Sequence, residues 1–565
     1  MNKIWLQHYP PGVPAEIDVS EYRSLKEILE ISCRRFAALP AFTNMGASLT
    51  YADLDRLTRQ FAAYLQAAVG LPKDTRVAIM LPNLLQYPVV LFGALRAGMT
   101  VVNVNPLYTA TELRHQLRDS GAEAIVVLEN FAHTLQEVLA DTALKTVVTT
   151  QVGDLLPAPK SLLVNFVVKH LKRMVPAWRI EGALDLRAAL AQGNAHRLQD
   201  IALGPEDVAF LQYTGGTTGV AKGAVLTHGN MVANLQQTSA WISGVLKEGA
   251  EIVVTPLPMY HIFSLTANCL TFMKWGGNNL LITNPRDIPG FIKELKRYRF
   301  TVITGVNTLY NALLSSAALR EVDASALKVA VGGGMALQRS VAQRWQESTG
   351  VALIEGYGLT ETSPNVCANP LDAKEFSGAV GMPLPSTELG IRDDKGVDLG
   401  IGEIGEICVR GPQVMRGYWN LPDETAIAMD RDGWLRTGDM GFVDERGYVH
   451  ITDRKKDVII VSGFNVYPNE VEDVVALHPG VLESAVIGVA DERSGEAVKV
   501  IALRRDPELT EAALIEHCRK HLTGYKVPKH VEFRTLPLPR TPIGKVLRRA
   551  LRNEALGRGP APAAS

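Results

Sequence analysis

The run YTGGTTGVAKG, Tyr213 to Gly223, gathers in one short stretch the groups that grip a phosphate. Gly215, Gly216, Gly219 and Gly223 let backbone N–H groups turn toward an anion without Cβ interference. Thr214, Thr217 and Thr218 add hydroxyl donors, and Lys222 adds a mobile positive charge. The apolar stretch DVAFLQY precedes the run and a helix is predicted to open near Asn230, so the segment reads as a strand-to-helix loop. It is not a P-loop, because Lys222 is followed by Gly223 rather than Ser or Thr. Gly400, Gly402 and Gly405 satisfy GxGxxG, but a hairpin-like IRDDKGVDL precedes them and a strand-like EICVRG follows. The dinucleotide fingerprint needs a helix there, so a β-turn is expected instead. His517 and His521 are four apart on a predicted helix. With no third ligand in view, they read as a basic surface helix rather than a metal site.

The elements that must position these groups follow from pattern. The chain has 565 residues, 47% of them hydrophobic, enough for several cores. With 58 basic against 59 acidic side chains the net charge is −1, so no global field draws it to nucleic acid. The five cysteines, Cys33, Cys269, Cys367, Cys408 and Cys518, form no CxxC pair, which points to a reducing, cytoplasmic setting. The N-terminus shows no secretory signal and no apolar run is long enough to span a bilayer. Amphipathic helix candidates such as 51–69 alternate with apolar strand candidates such as 76–80 up to about Asn365, which predicts mostly parallel sheets covered by helices. After Ser377 short β-rich pieces broken by Gly, Asp and Pro predict a small barrel or antiparallel sheet. A new unit begins at DRKKD, Asp453–Asp457. The fold class is thus α/β: a large N-terminal domain (1–455) of two βα-layered subdomains plus a small β-barrel, then a small mobile α+β C-terminal lid domain (456–565). The Pro/Ala tail, 557–565, is predicted to be disordered.

Seven further blocks follow the glycine run in order: PLPMYHIF, GGGMAL, EGYGLTET, GWLRTGD, DRKKD, VSGFNVYPNEVE and PRTPIGKVLRR. Together they resemble the adenylate-forming (AMP-binding) superfamily of acyl-CoA synthetases, luciferases and peptide-synthetase adenylation domains. DGWLRTGDMGFVDERGYVHITDRKK is particularly similar to the fatty-acyl-CoA synthetase block. The resemblance implies that a carboxylate attacks the α-phosphate of ATP·Mg²⁺, and that the thiol of coenzyme A then displaces AMP from the acyl-adenylate. It assigns Glu361, with Thr217, to Mg²⁺ and Thr360 to the α-phosphate. Asp439 falls at both ribose hydroxyls with Arg454 beside it, and Gly332, Gly333, Gly334, Tyr357 and Gly358 border adenine. Lys545 is the catalytic cation that stabilises the transferring phosphoryl centre. Lys456 is the hinge, and Ser462, Gly463 and Phe464 face the thioester site after the lid swings. His261, by itself an ordinary core or surface imidazole, is placed by its block at the acyl and thiol site. Lys526 is a weaker phosphate assignment.

The implied activity is ligation of a medium- or long-chain fatty acid to coenzyme A. A short-chain, aromatic or luciferin-like acid is the alternative. Ile262, Phe263, Leu265, Val306, Leu309 and Met335 are candidate walls of an acyl tunnel. Burial of a dozen methylenes at about 0.8 kcal/mol each yields roughly 10 kcal/mol before entropic losses. An amino-acid substrate is disfavoured, because YHIFSLT holds no acid to meet an ammonium. Residues 161–175 form an amphipathic stretch with Leu163, Phe166, Val167, Leu171 and Met174 on one face and Lys169, Lys172 and Arg173 opposite. It is either packed on its domain or rests on an anionic membrane surface. A homodimer is left open.

Overall fold

The computed structural model describes residues 3–214, 221–541 and 544–557. Gly215, Gly216, Thr217, Thr218, Gly219 and the tail 558–565 lie outside the described residues.

Short β-branched runs build two large sheets. Arg76–Met80, Thr100–Asn103, Ala124–Leu128 and Val208–Thr214 lie in an eight-stranded sheet and pair in parallel. Ile252–Thr255, Asn278–Leu281, Val302–Gly305, Val329–Gly332 and Leu353–Gly358 do the same in a nine-stranded sheet. Their near-continuous burial is that of parallel strands covered on both faces. Helices between the strands are set by their own caps. Tyr51–Ala63, for instance, starts at a Thr50/Asp53 capping box and continues as a π-turn through Tyr64–Ala68.

The later β-rich stretch, Glu388–Arg392, Gly405–Arg410, Leu435–Val443 and Val449–Arg454, forms a four-stranded antiparallel sheet. Its pairings give an open antiparallel sheet, the second of the two expected arrangements, rather than a closed barrel. The Gly400–Gly405 run turns directly into the strand Gly405–Arg410, with no helix after it.

Strand partners change after Arg454. Ile459–Val461, Phe464–Val466, Val481–Asp491, Gly495–Arg504 and His530–Arg534 make a separate five-stranded sheet. Helices Pro468–Ala476, Glu511–His521 and Arg548–Ala555 accompany it, over a core of its own. Between the two sheets, Lys455 is tied to Asp394 at 2.8 Å and Glu406 at 3.1 Å on the body. Asp457 is paired with Arg552, and with Arg548 at 3.7 Å, on the last helix. Among the described residues no helix is long and apolar enough to cross a membrane.

Candidate active site

One corner of the site is a carboxylate with both oxygens engaged. Asp439 and Arg454 are opposite each other in the antiparallel ladder, so their side chains share a face. Arg454 Nε lies 2.7 Å from Asp439 Oδ1, and the Tyr357 hydroxyl donates to Oδ2 at 2.7 Å. Burial first and the Asp439 charge second push the Tyr357 phenol well above its ordinary value, so it stays a donor. Burial works most strongly against the Arg454 charge, but Asp439 together with Tyr357, Glu361 and Asp457 outweighs it and raises the guanidinium's pKa. The turn out of this strand needs glycine: a Cβ on Gly358 would meet the Pro364 carbonyl oxygen at 1.9 Å.

The phosphate run departs from its sequence reading. Thr214 pairs with Lys222 and Tyr213 with Gly223 in an antiparallel ladder, so the run connects two strands, Val208–Thr214 and Lys222–Thr227. The helix, His228–Ile242, begins only after the second strand, at a Thr227/Asn230 capping box. The strand-to-helix expectation is therefore corrected. KGAVLT is a strand buried almost throughout, paired with Val208–Thr214, and the helix starts only at its Thr227 cap. Lys222 is not a free cation: its ammonium pairs with Glu424 and sits 5.2 Å from the centre of the Tyr418 ring.

Glu361 borders the same cavity, as do Thr360 and Thr214. Tyr418, on the short strand Gly417–Tyr418, donates to Glu361 Oε1 at 2.7 Å. Among the described residues no cluster of three His, Cys, Asp or Glu side chains exists that would hold a metal by itself. A hard cation that arrives with phosphates needs only one or two protein oxygens, a number that a single carboxylate such as Glu361 can supply.

Lys545 enters from the lid. The turn that carries it is closed by Thr541 N–H donating to the Lys545 carbonyl at 2.7 Å and by Gly544 N–H to the Thr541 carbonyl at 2.8 Å. Gly544 has φ +87°, and a Cβ there would lie 2.8 Å from Thr308 Oγ1 on the body. The turn is thus seated against the large domain. Burial first, then the nearby Arg454 charge, push the Lys545 ammonium down to about 8. His261 caps Ile262–Ser264 by accepting from Phe263 N–H at 3.3 Å. Burial and the Lys545 charge lower its pKa to about 4, which leaves a neutral imidazole. Lys456, Arg540, Thr541, Lys545, His261, Glu361 and Arg454 all line one cavity.

That cavity has a volume of about 970 Å³ and continues from the polar mouth into an apolar interior. Ile262 and Phe263 line it, as do Gly333, Gly334, Tyr357 and Gly358. Leu265, Val306, Leu309 and Met335 are absent from its lining. Leu265 belongs to the main core and Val306 and Leu309 to a second one, against which Met335 packs. The residues that do form the apolar interior are Trp241, Ile242, Leu246, Phe272, Val302, Val329, Val331 and Ile354. Their signal was the alternation Val302/Thr304 and Val329/Val331 on adjacent strands. Glu355, also missed, is buried beside them. Its Oε1 accepts from Leu337 N–H at 3.0 Å, and burial pushes its pKa up to about 8.

Other residues are placed elsewhere. Ser462 and Gly463 form the tight turn between Ile459–Val461 and Phe464–Val466, both with positive φ. Phe464 is exposed and stacks on Tyr525 at 4.9 Å, outside the cavity lining. Lys526 pairs with Glu470 at 2.7 Å and does not line the cavity. His517 packs edge-on against His478 and bonds the Val474 carbonyl at 3.0 Å.

The site thus joins a carboxylate held by Arg454 and Tyr357, a second carboxylate at Glu361 and a lysine from the small C-terminal domain. The AMP-binding enzyme model matches residues 29–419, and that of the AMP-binding enzyme C-terminal domain matches 470–545. The chain belongs to this family. It is 57% identical over 564 residues to a long-chain-fatty-acid–CoA ligase of Yersinia pestis, with 100% of each chain covered. It is also 57% identical to the ligase of that name from Escherichia coli O157:H7, covering 99% of each. Among solved structures, ATP-bound MatB from Rhodopseudomonas palustris is 30% identical, with TM-score 0.80, 94% of this chain covered and 99% of that one.

Proposed function

We propose that this protein is an ATP-dependent ligase that joins a long-chain fatty acid to coenzyme A through an acyl-adenylate. The observation that carries this reading is the cavity lined by Glu361, Arg454 and Lys545 at one end of an apolar interior, with Asp439 bound behind it to Arg454 and Tyr357. Asp439, oriented by Tyr357 and Arg454, holds the ribose. Glu361, with Thr217 from the glycine run, would hold magnesium. That ion would draw charge from the phosphates when bound. The carboxylate oxygen of the fatty acid attacks the α-phosphorus as the bond to pyrophosphate breaks. Lys545 stabilises the negative charge spread over that centre and so acts in the transition state. Neutral His261 shapes the acyl passage and takes no proton.

Lys545 lines the cavity that a thiol must also enter to reach the acyl carbon. Residues 456–565 therefore act as a lid that swings about Lys456 once the adenylate has formed. The turn Ser462–Phe464 then replaces Lys545, the coenzyme A sulfur bonds to the acyl carbon, and AMP leaves. The five cysteines are free and buried, which suits a reducing compartment.

Membrane contact is the finer part of the reading. Leu162, Leu163, Phe166, Leu171 and Met174 are each more than half exposed along the helix Lys160–Phe166 and the turn that follows. Lys169, Lys172 and Arg173 accompany them. A substrate that partitions into lipid would be collected there, on an anionic surface. Flotation with anionic vesicles should weaken when the three basic residues are neutralised. Equal flotation removes the helix from the account.

The whole reading is tested by pyrophosphate release with a panel of acids followed by coenzyme A. Release with palmitate or oleate, and acyl-CoA on adding the thiol, is the expected result. Release only with acetate, aromatic acids or a luciferin refutes it.

A further inference from the structure

The register of the large sheet divides the apolar interior into tiers. Gly332 is paired with Glu355, which sets Gly333 and Gly356 at the top of the cavity. Thr304, Val331 and Ile354 share the next level, since Thr304 pairs with Val331 and Val331 with Ile354. Val302 pairs with Val329 two residues further down, about 6.6 Å deeper at 3.3 Å per residue. Alternate residues of a strand point to one face, so these levels stack in the same cavity. All but the glycines carry a side chain branched at Cβ, a stiff wall that yields little to a longer ligand.

The opposite wall descends in the same order. Thr238, on the helix His228–Ile242, accepts from Asn365 Nδ2 at 2.9 Å near the mouth. Trp241, one turn on, is pinned by its Nε1–H to the Asn369 carbonyl at 3.0 Å. Ile242 ends the helix, and Leu246 N–H donates back to the Ile242 carbonyl at 2.9 Å. Ile242, Leu246, Val302 and Val329 are all under 8% exposed and belong to one packed cluster.

We infer that this lowest tier, Val302 and Val329 facing Ile242 and Leu246, receives the methyl end of the acyl chain and sets the longest fatty acid accepted. The inference rests on the fatty-acid reading above and deepens it. The mouth fixes the carboxylate, so chain length translates directly into depth. The floor then decides where another methylene ceases to find burial. Each methylene denied burial costs about a factor of four in transition-state affinity.

The test compares acyl-CoA formation from octanoate to stearate by wild type, Val329→Phe, Leu246→Trp and Leu246→Ala. Val329→Phe and Leu246→Trp fill the floor from opposite walls. Each should raise the ratio of decanoate to stearate kcat/KM by about fifty-fold, the equivalent of three methylenes. Leu246→Ala should move the optimum toward longer chains. Thermal melting identifies a variant that fails to fold, and the partner on the other wall then carries the test. An unchanged ratio in the folded filling variants, or a loss uniform across the series, overturns the inference. Wild type that activates no fatty acid of any length would instead overturn the fatty-acid reading itself.

Discussion

Asp439, on the large body, is buried, with Tyr357 and Arg454 each 2.7 Å from one of its oxygens. Lys545, on the small C-terminal domain, makes no side-chain hydrogen bond or ion pair among the described residues, although it lines the cavity that Tyr357 and Arg454 also border. One group is fixed by neighbours on two strands, one from each of two sheets; the other is carried in on a turn. The difference follows from their tasks. On the proposed reading Asp439 clamps the nucleotide in both half-reactions and gains from rigidity. A cation needed for only one of them must be removable, and a partner within the body would hold it in place.

The largest expected effect probes the fixed side. Asp439→Ala leaves the Arg454 guanidinium without its counter-charge, a change worth about 3 kcal/mol in a buried setting. ATP affinity should fall about a hundred-fold by calorimetry, and both half-reactions should suffer. A defect confined to adenylation would erase the contrast. Glu361→Gln should come next, lowering fatty-acid-dependent pyrophosphate exchange about thirty-fold, in line with the loss of a charged contact worth about 2 kcal/mol. A magnesium titration should shift to higher concentration. No shift would place the metal elsewhere.

The lid side has a pH signature. With the lid docked, Lys545 has its pKa pushed down to about 8, below the ordinary lysine value, chiefly by burial and then by Arg454. A depressed lysine pKa means that proton binding favours the undocked lid. That penalty on docking is full below about pH 8 and fades as pH rises toward the ordinary value. Catalysis runs the other way, since the useful charge is lost above about pH 8. Pyrophosphate exchange, followed as kcat/KM for ATP, should therefore decline about tenfold per unit above that point. Lys545→Arg should remove the decline, whatever its maximal rate. The smallest effect is Tyr357→Phe, which deletes one hydrogen bond to Asp439. It should weaken ATP about fivefold, near 1 kcal/mol.

The two sides were not equally legible in the sequence. Blocks such as EGYGLTET, GWLRTGD and PRTPIGK stand far apart along the chain, yet Glu361 and Lys545 line one cavity with Arg454, the partner of Asp439. Short motifs with unusual backbone demands carry their chemistry in their composition. Apolar walls do not. Leu265 and Ile262 look alike in sequence, but Leu265 begins a π-turn and faces the main core, whereas Ile262 faces the cavity. Which buried valine lines a tunnel is decided by sheet register, which no local pattern encodes. The hairpin around the glycine run was misread for a related reason: KGAVLT is too short for its period to separate strand from helix.

Lys545→Ala, assayed in the two half-reactions separately, tests the central claim most directly. Formation of acyl-adenylate from fatty acid and ATP should fall about a thousandfold, the scale expected when a transition-state charge partner is removed. Conversion of supplied acyl-adenylate and coenzyme A to acyl-CoA should stay near the wild-type rate. Equal loss of both steps in a variant that melts like wild type would contradict a lysine delivered for one step and withdrawn for the other.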